Sequence, residues 1–349
     1  MPNLHHHFRA LLSNVNPSDG RMLLASSVPG DVRTWLKEHD FQTESPHTRL
    51  SGSYGRNTAI CDIKDVDVLL LVPKESLERT PNAVLLELKA VLDEYPDALA
   101  EATGQRRSVH LEFPQYGFHL DIVPAVAERG LDRPLRVPDR PSQNWILSDP
   151  LGYAERLSEL NQAMGEKVKP LIKLVKAWRD VQMKVRRPKS YVLEVMVLYA
   201  VESGAIELRD RSTADNLADF FAYVLDKYRD LMDNGTESPR VPDPQVSGTY
   251  ITRGWERAHF ETFMRRAREA DRAAQRALKA ETVEAAAAEW GVLFGDLWPT
   301  ADAVKCAART EAASIMPGRA TIGRTGLVVG SSIARSIPTV ATTYHGEGE

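Results

Sequence analysis

The chain has 349 residues, enough for one large domain or two lobes sharing a cleft. Apolar residues at 43% and charged residues at 26% are ordinary for a globular protein, and a formal charge of −4 argues against a general grip on long nucleic acid. Two cysteines, Cys61 and Cys306, are too few for a disulfide framework or a cysteine-rich zinc site and fit a reducing cytoplasm, and no apolar run approaches a membrane span.

In chain order, Leu4 to Leu12 reads as a helix, with His5, His6 and His7 as its solvated start. Met22 to His39 reads as helical but interrupted at Pro29-Gly30. Ser51 to Thr58 is a Gly-rich turn. Ile63 to Val72 follows, opening with alternation and ending as an apolar run, the pattern of a central strand stopped by Pro73. Asn82 to Tyr95 has helical periodicity, and Ser108–Phe113 and Tyr116–Val123 read as two strands of a hairpin around Pro114-Gln115. Beyond Asp149-Pro150 the pattern turns helical: Pro170 to Met183, Ser190 to Glu202, Ala214 to Met232, Trp255 to Phe294 with a break, and Asp302 to Ala313. From Met316 onward periodicity is lost and a flexible tail is expected.

Asp65 and Asp67 stand two apart on a strand and therefore project to the same face, while Val66 and Val68 point the other way. Two like charges on so apolar a strand repel and lose solvation unless a cation lies between them. Magnesium, which prefers oxygen ligands, meets that need. Asp121, in His119-Leu120-Asp121-Ile122-Val123, is a third carboxylate in a strand-like run. If the two strands are neighbours, three carboxylates converge, as two-metal phosphoryl transfer requires. A single aspartate would more simply end a strand or pair with an arginine.

Three further features surround this set. Gly52-Ser53 combines close backbone approach with a hydroxyl at the start of a short helix, a setting that suits phosphate, and Arg56 is placed either to add a phosphate contact or to form an exposed salt bridge. On the helix beginning at Pro170, Leu171, Leu174, Val175 and Trp178 form the core stripe, while Lys169, Lys173 and Lys176 share the opposite face. Such a lysine stripe is either a solvated face or, where the helix borders the cleft, a phosphate site in which Lys173 and Lys176 act as point charges. Ser190 reads as an N-cap or a phosphate contact, and Tyr191 as a stacking surface for a base.

These residues resemble the bacterial cGAS/DncV-like nucleotidyltransferases, the oligonucleotide cyclases of anti-phage CBASS systems, which have a polymerase-beta-like fold. The resemblance rests on GSYGRNTAI at Gly52 to Ile60, DIKDVDVLL at Asp62 to Leu70, HLDIVPA at His119 to Ala125, KLVKAW at Lys173 to Trp178 and KSYVLE at Lys189 to Glu194. NWILSDP before Asp149-Pro150 and EWGVLFGDLWP at Glu289 to Pro299 are also similar to that family. It implies that Asp65, Asp67 and Asp121 are catalytic and bind two Mg2+ ions, with Mn2+ as a substitute. It also implies that Gly52, Ser53, Lys173 and Ser190 hold the donor triphosphate and that Tyr191 stacks on its base. The histidine and cysteine cluster of the animal synthase has no counterpart, which speaks against activation by double-stranded DNA.

The expected architecture is therefore α+β. A polymerase-beta-like nucleotidyltransferase sheet with flanking and N-terminal helices spans residues 1–150, a helical lobe completing the nucleotide cleft spans 151–313, and a flexible tail spans 314–349. The expected activity is condensation of nucleoside triphosphates such as ATP into a cyclic di- or trinucleotide that reaches a separate effector in the cytoplasm, without a membrane. A tail ending at Glu349 is compatible with conjugation by a ubiquitin-transfer-like enzyme. Other readings are transfer to a tRNA end, an antibiotic or a protein hydroxyl, and a nucleotide-binding regulator without turnover.

Overall fold

The structure, a computed structural model, describes residues 2–61, 65–96, 98–101, 105–185, 187–314, 320–322 and 328–330. Helix α1 (His5–Val15) leads into α2 (Asp19–Glu38), whose first turn is capped by Ser18 accepting from the Arg21 N–H. The break expected at Pro29-Gly30 does not occur, and α2 runs through Pro29. An interior proline removes one helical bond and costs about 3 kcal/mol. Here Ala25, Val28, Pro29, Val32 and Leu36 are the stripe buried against the sheet, and that packing holds the helix together.

Next come β1 (Thr48–Leu50), the single turn α3 (Gly52–Gly55), β2 (Asp65–Leu71), α4 (Pro81–Leu92), β3 (Leu99–Glu101), β4 (Val109–Phe113) and β5 (Phe118–Ala125). They build a five-stranded sheet in the order β1-β2-β5-β4-β3. Only β2 and β5 run parallel; the other pairs are antiparallel. A parallel pair needs a crossover, which α4, β3 and β4 supply. The hairpin expected around Pro114-Gln115 is present, closed by a 3-10 turn over Pro114–Tyr116 and by Gly117 at φ 54°.

One face of the sheet is apolar throughout. Val66, Val68 and Leu70 of β2, with Val109, Leu111, Leu120 and Ile122, pack beneath α2 and α4 through Val28, Val32, Leu85 and Leu88. The other face changes along its length. Near the start of β2 it carries Asp65 and Asp67; further on, Leu69 and Leu71 join Ala125 under Leu135 and Val137. The last two belong to a hairpin absent from the sequence reading, β6 (Leu135–Asp139) and β7 (Asn144–Ser148). It covers one end of that face and leaves the acidic end uncovered by this core.

Helices α5 (Pro150–Ala163), α6 (Val168–Gln182), α7 (Ser190–Glu202), α8 (Thr213–Lys227), α9 (Arg229–Asn234), α10 (Arg257–Lys279), α11 (Val283–Phe294) and α12 (Ala301–Ser314) form the helical lobe. Helix α5 was not separately anticipated; Asp149 caps it by accepting from the Gly152 N–H at 2.8 Å. The expected run Ala214–Met232 divides at Tyr228, and the long run after Trp255 divides before Thr282, whose hydroxyl caps α11. Helix α1, assigned from sequence to the sheet lobe, packs instead in the helical core. Phe8 meets Trp290 and Trp298 edge-on at 5.2 and 5.5 Å, and Leu11 and Val15 are fully buried beside them. Burial of this apolar stripe, at roughly 1.5–3 kcal/mol per large side chain, outweighs proximity in sequence.

Of the tail expected from residue 314, Ala320–Ile322 (β8) and Val328–Gly330 (β9) pair as antiparallel strands. Ser314 ends α12, and the other tail positions, through Glu349, lie outside the described residues, as do 62–64 of the Asp62 to Leu70 motif. Among the described residues no helix is long and apolar enough to cross a membrane.

Candidate active site

The register of the parallel pair decides where the carboxylates lie. Asp67 stands directly beside Asp121, and Asp65 beside His119. Adjacent strands are about 4.8 Å apart, and residues in register share a face. Asp65, Asp67 and Asp121 therefore converge, the condition set by the sequence. Burial first, then the charges of Asp65 and Asp121, raise the Asp67 carboxyl to about 6, with Arg56 opposing the shift. Among the described residues no lysine or arginine forms an ion pair with any of the three.

The turn at Gly52 closes against this group. Ser51 N–H donates to the Asp67 carbonyl at 2.8 Å, so the turn leaves the edge of the sheet as a continuation of its ladder. Gly52 takes φ 60°, and a Cβ there would lie 2.6 Å from Asp67 Cγ and overlap a carboxylate oxygen. Both the backbone conformation and the space demand glycine. Ser53, the next residue, accepts at its carbonyl from the N–H groups of Thr58 and Ala59, which folds the turn back on itself.

Other sequence candidates are placed differently. Arg56 and Lys176 point into the protein, where both neutralise Glu194. Arg56 Nε and Nη2 donate to Glu194 at 2.9 and 3.2 Å, and Lys176 Nζ donates to it at 2.5 Å and to the Thr58 carbonyl at 2.9 Å. Lys176 is 1% exposed, so its ammonium is unavailable to a triphosphate. The helical wheel identified the lysine face of α6 correctly but not what covers it. The segment after Gly52 lies on that face, and α6 is buried on both sides. Burial would push Glu194 up, but Lys176 and Arg56 outweigh it and hold the carboxyl down at about 2. Arg56 also lies over the rings of Tyr153 and Tyr191, at 5.3 and 5.5 Å.

Lys173 behaves otherwise. Its Nζ reaches Asn16 Oδ1 at 2.9 Å and Asn57 Oδ1 at 3.4 Å, next to the Gly52 turn, and among the described residues no carboxylate pairs with it. Burial, then Lys176 and Lys169, lower it to about 8. Lys169 turns away to Ser158. Ser190 is the first residue of α7 rather than its cap, and its hydroxyl accepts from Arg179 at 3.1 Å. Tyr191 is half-buried, edge-on to Tyr153 at 5.0 Å.

The sequence reading missed the polar side chains beside Asp121. His110 on β4 is its cross-strand partner, with Nδ1 at 3.1 Å from Oδ1, and Ser108 Oγ donates to the same oxygen at 3.5 Å. His119, two residues before Asp121 on the same face, lies with its ring 4.1 Å from that of His110. Burial and His110 push the His119 imidazole below its ordinary value. The alternation of Ser108-Val109-His110-Leu111-Glu112 with His119-Leu120-Asp121 carried this signal, because polar positions two apart must share a face.

Residues 2–161 match a family model described as a Second Messenger Oligonucleotide or Dinucleotide Synthetase domain. The chain is similar to the cGAS/DncV-like nucleotidyltransferases. It is 29% identical over 320 residues to a cyclic AMP-AMP-AMP synthase of Acinetobacter sp., covering 88% of this chain and 89% of that one. It is 21% identical over 355 residues to a cyclic AMP-AMP-GMP synthase of Enterobacter hormaechei, covering 84% and 91%. Its fold matches an Escherichia coli CdnC solved with ATP at a TM-score of 0.66, with 18% identity over 85% of this chain and 99% of that one. It matches Vibrio cholerae DncV, a cyclic AMP-GMP synthase, at 0.66 with 12% identity over 87% and 99%.

The acidic end of the sheet fits a divalent cation. Three carboxylates supply hard oxygen donors, burial and then the charges of Asp65 and Asp121 raise the Asp67 carboxyl, and Gly52 keeps backbone close to Asp67 without filling the space.

Proposed function

We propose that this nucleotidyltransferase condenses nucleoside triphosphates, with release of pyrophosphate, into a cyclic di- or trinucleotide second messenger that acts on a separate effector in anti-phage signalling. The observation that carries the proposal is the placement of Asp67 beside Asp121 on adjacent strands, with Asp65 on the same face. The printed activities of the relatives, cyclic AMP-AMP-AMP and cyclic AMP-AMP-GMP synthesis, support the product class.

In this reading Asp65, Asp67 and Asp121 would hold two Mg2+ ions, for which Mn2+ could substitute. Bound there, they would supply positive charge against the triphosphate and the pyrophosphate leaving group. Gly52 and Ser53 receive the donor phosphates, and Lys173 adds a positive charge beside that turn. Asp121 takes the proton of the attacking ribose hydroxyl; the oxygen bonds to the α-phosphorus as the bond to pyrophosphate breaks. Tyr191 supports the donor base, with Tyr153 fixing its ring. Arg56, Lys176 and Ser190 shape the site from behind.

Incubation with labelled triphosphates and Mg2+ tests the proposal. A cyclic product has no terminal phosphate, so label should become resistant to phosphatase. Asp65→Ala with Asp67→Ala should abolish that product; undiminished product in the folded double variant overturns the assignment.

A further inference from the structure

We propose that His110, His119 and Asp121 form a binding site of mixed nitrogen and oxygen donors for a borderline transition-metal ion of the Zn2+ or Co2+ class, adjoining the carboxylate group. One ligand atom from each of the three side chains lies within 4.8 Å of the others. His110 Nδ1 and Asp121 Oδ1 are already 3.1 Å apart, close to the roughly 3.3 Å that two ligands of one tetrahedral ion would have at zinc bond lengths. The cluster is built into the sheet rather than assembled from mobile surface side chains. His110 and Asp121 are register partners on β4 and β5, and His119 is two residues along β5 on the same face. The side chains of His110 and Asp121 are 21% and 25% exposed, so an ion can reach them from solvent while protein holds them from the other sides.

Donor chemistry separates this site from its neighbour. Asp65 and Asp67 offer oxygen alone, which suits Mg2+; two imidazoles favour ions higher in the Irving–Williams order and give Mg2+ little. Asp121 belongs to both groups. A transition ion beside the histidines therefore competes with phosphoryl transfer for one carboxylate. The proposal depends on the proposed function only for that consequence; the binding itself needs no turnover.

Co2+ is the probe, because its visible absorption is intense only when nitrogen donors or low coordination replace six oxygens. The full chain carries His5→Gln and His6→Gln, since those residues form a second cluster with Glu311. Titration in excess Mg2+ should give a saturable band at one Co2+ per chain. His110→Asn or His119→Asn should weaken it by more than about tenfold, and Asp65→Asn with Asp67→Asn should retain it. Absence of the band, its survival in both histidine variants, or its loss in the Asp65/Asp67 variant overturns the proposal. The chain with His110 and His119 intact gives an independent reading that needs no active-site substitution to fold. Two hyperfine-shifted imidazole N–H proton signals should appear in the NMR spectrum with Co2+, and a spectrum without them also overturns it.

Discussion

Gly52 is pressed so closely against Asp67 that a methyl group on its Cα would occupy the position of the Asp67 carboxylate. The turn proposed to receive phosphate and the carboxylate proposed to hold metal are therefore mechanically one unit. Gly52→Ala should retain the fold, because Gly52 lies in a single helical turn outside the main cores. It should lower the rate of nucleotide condensation by about 100-fold, the scale of loss from an ångström of misplacement. Circular dichroism with an initial-rate assay checks this; wild-type turnover in Gly52→Ala would show that Asp67 is not positioned by the turn.

The raised Asp67 carboxyl makes a signed statement about pH. In the folded chain without cation it titrates at about 6, above its ordinary 3.8. Protonation there favours the folded state, so this contribution is complete below pH 4 and is lost as pH rises through 6. A divalent cation binds the ionised form and opposes the loss. The stabilisation given by Mg2+ should thus grow between pH 5 and 7 by more than a simple salt effect allows. Thermal unfolding with and without Mg2+ measures it, and Asp67→Asn should flatten the dependence. Equal Mg2+ stabilisation at both pH values in the native sequence would refute the coupling.

Glu194 ties the two lobes together through charge. Its carboxylate receives Arg56 and Thr58 from the segment after Gly52 and Lys176 from α6. Removing one member of a buried ion cluster leaves an uncompensated charge and typically costs about 3–5 kcal/mol. Glu194→Gln leaves two cations in that position and should lower the unfolding free energy by about that amount. Denaturant titration measures it. The depressed carboxyl adds a pH signature: its stabilisation is present above pH 4.5 and is lost as pH falls towards 2, a feature Glu194→Gln should lack. Unchanged stability in Glu194→Gln would mean that the cluster contributes nothing net.

These tests rest on parts of the molecule that were unequally legible in the sequence. The convergence of Asp65, Asp67 and Asp121 was readable because strand geometry has period two and both runs were recognisable strands. Only their adjacency had to be supplied by the sheet. Lys176 was misread because a helical wheel gives the direction of a side chain but not what lies in that direction. Its partner Glu194 is 18 residues away and Arg56 is 120 away. The allegiance of α1 was hidden for the same reason, since Trp290 and Trp298 meet it from the far end of the chain. The β6–β7 hairpin escaped notice because Pro138 interrupts its alternation. His110 was less legible, because its alternation fits any half-buried strand and only the β4–β5 register sets it beside Asp121.

Lys173 offers the sharpest contrast with Lys176, three residues on. Lys176 has a buried carboxylate partner, whereas Lys173 meets two asparagine oxygens and the repulsion of Lys176 and Lys169, which with burial lowers it to about 8. A cation held in that state gains more from an arriving triphosphate than one already paired. Lys173→Met should therefore raise the KM for the donor nucleotide by about tenfold, equivalent to roughly 1.4 kcal/mol, with little change in thermal stability. Lys176→Met should do the reverse. In the native sequence KM should rise as pH passes 8 and the ammonium is lost; in Lys173→Met that rise should be absent. Steady-state kinetics between pH 7 and 9 with melting curves for both variants checks the pair. An equal loss of stability in the two would place Lys173 in the buried cluster and remove it from the phosphate site.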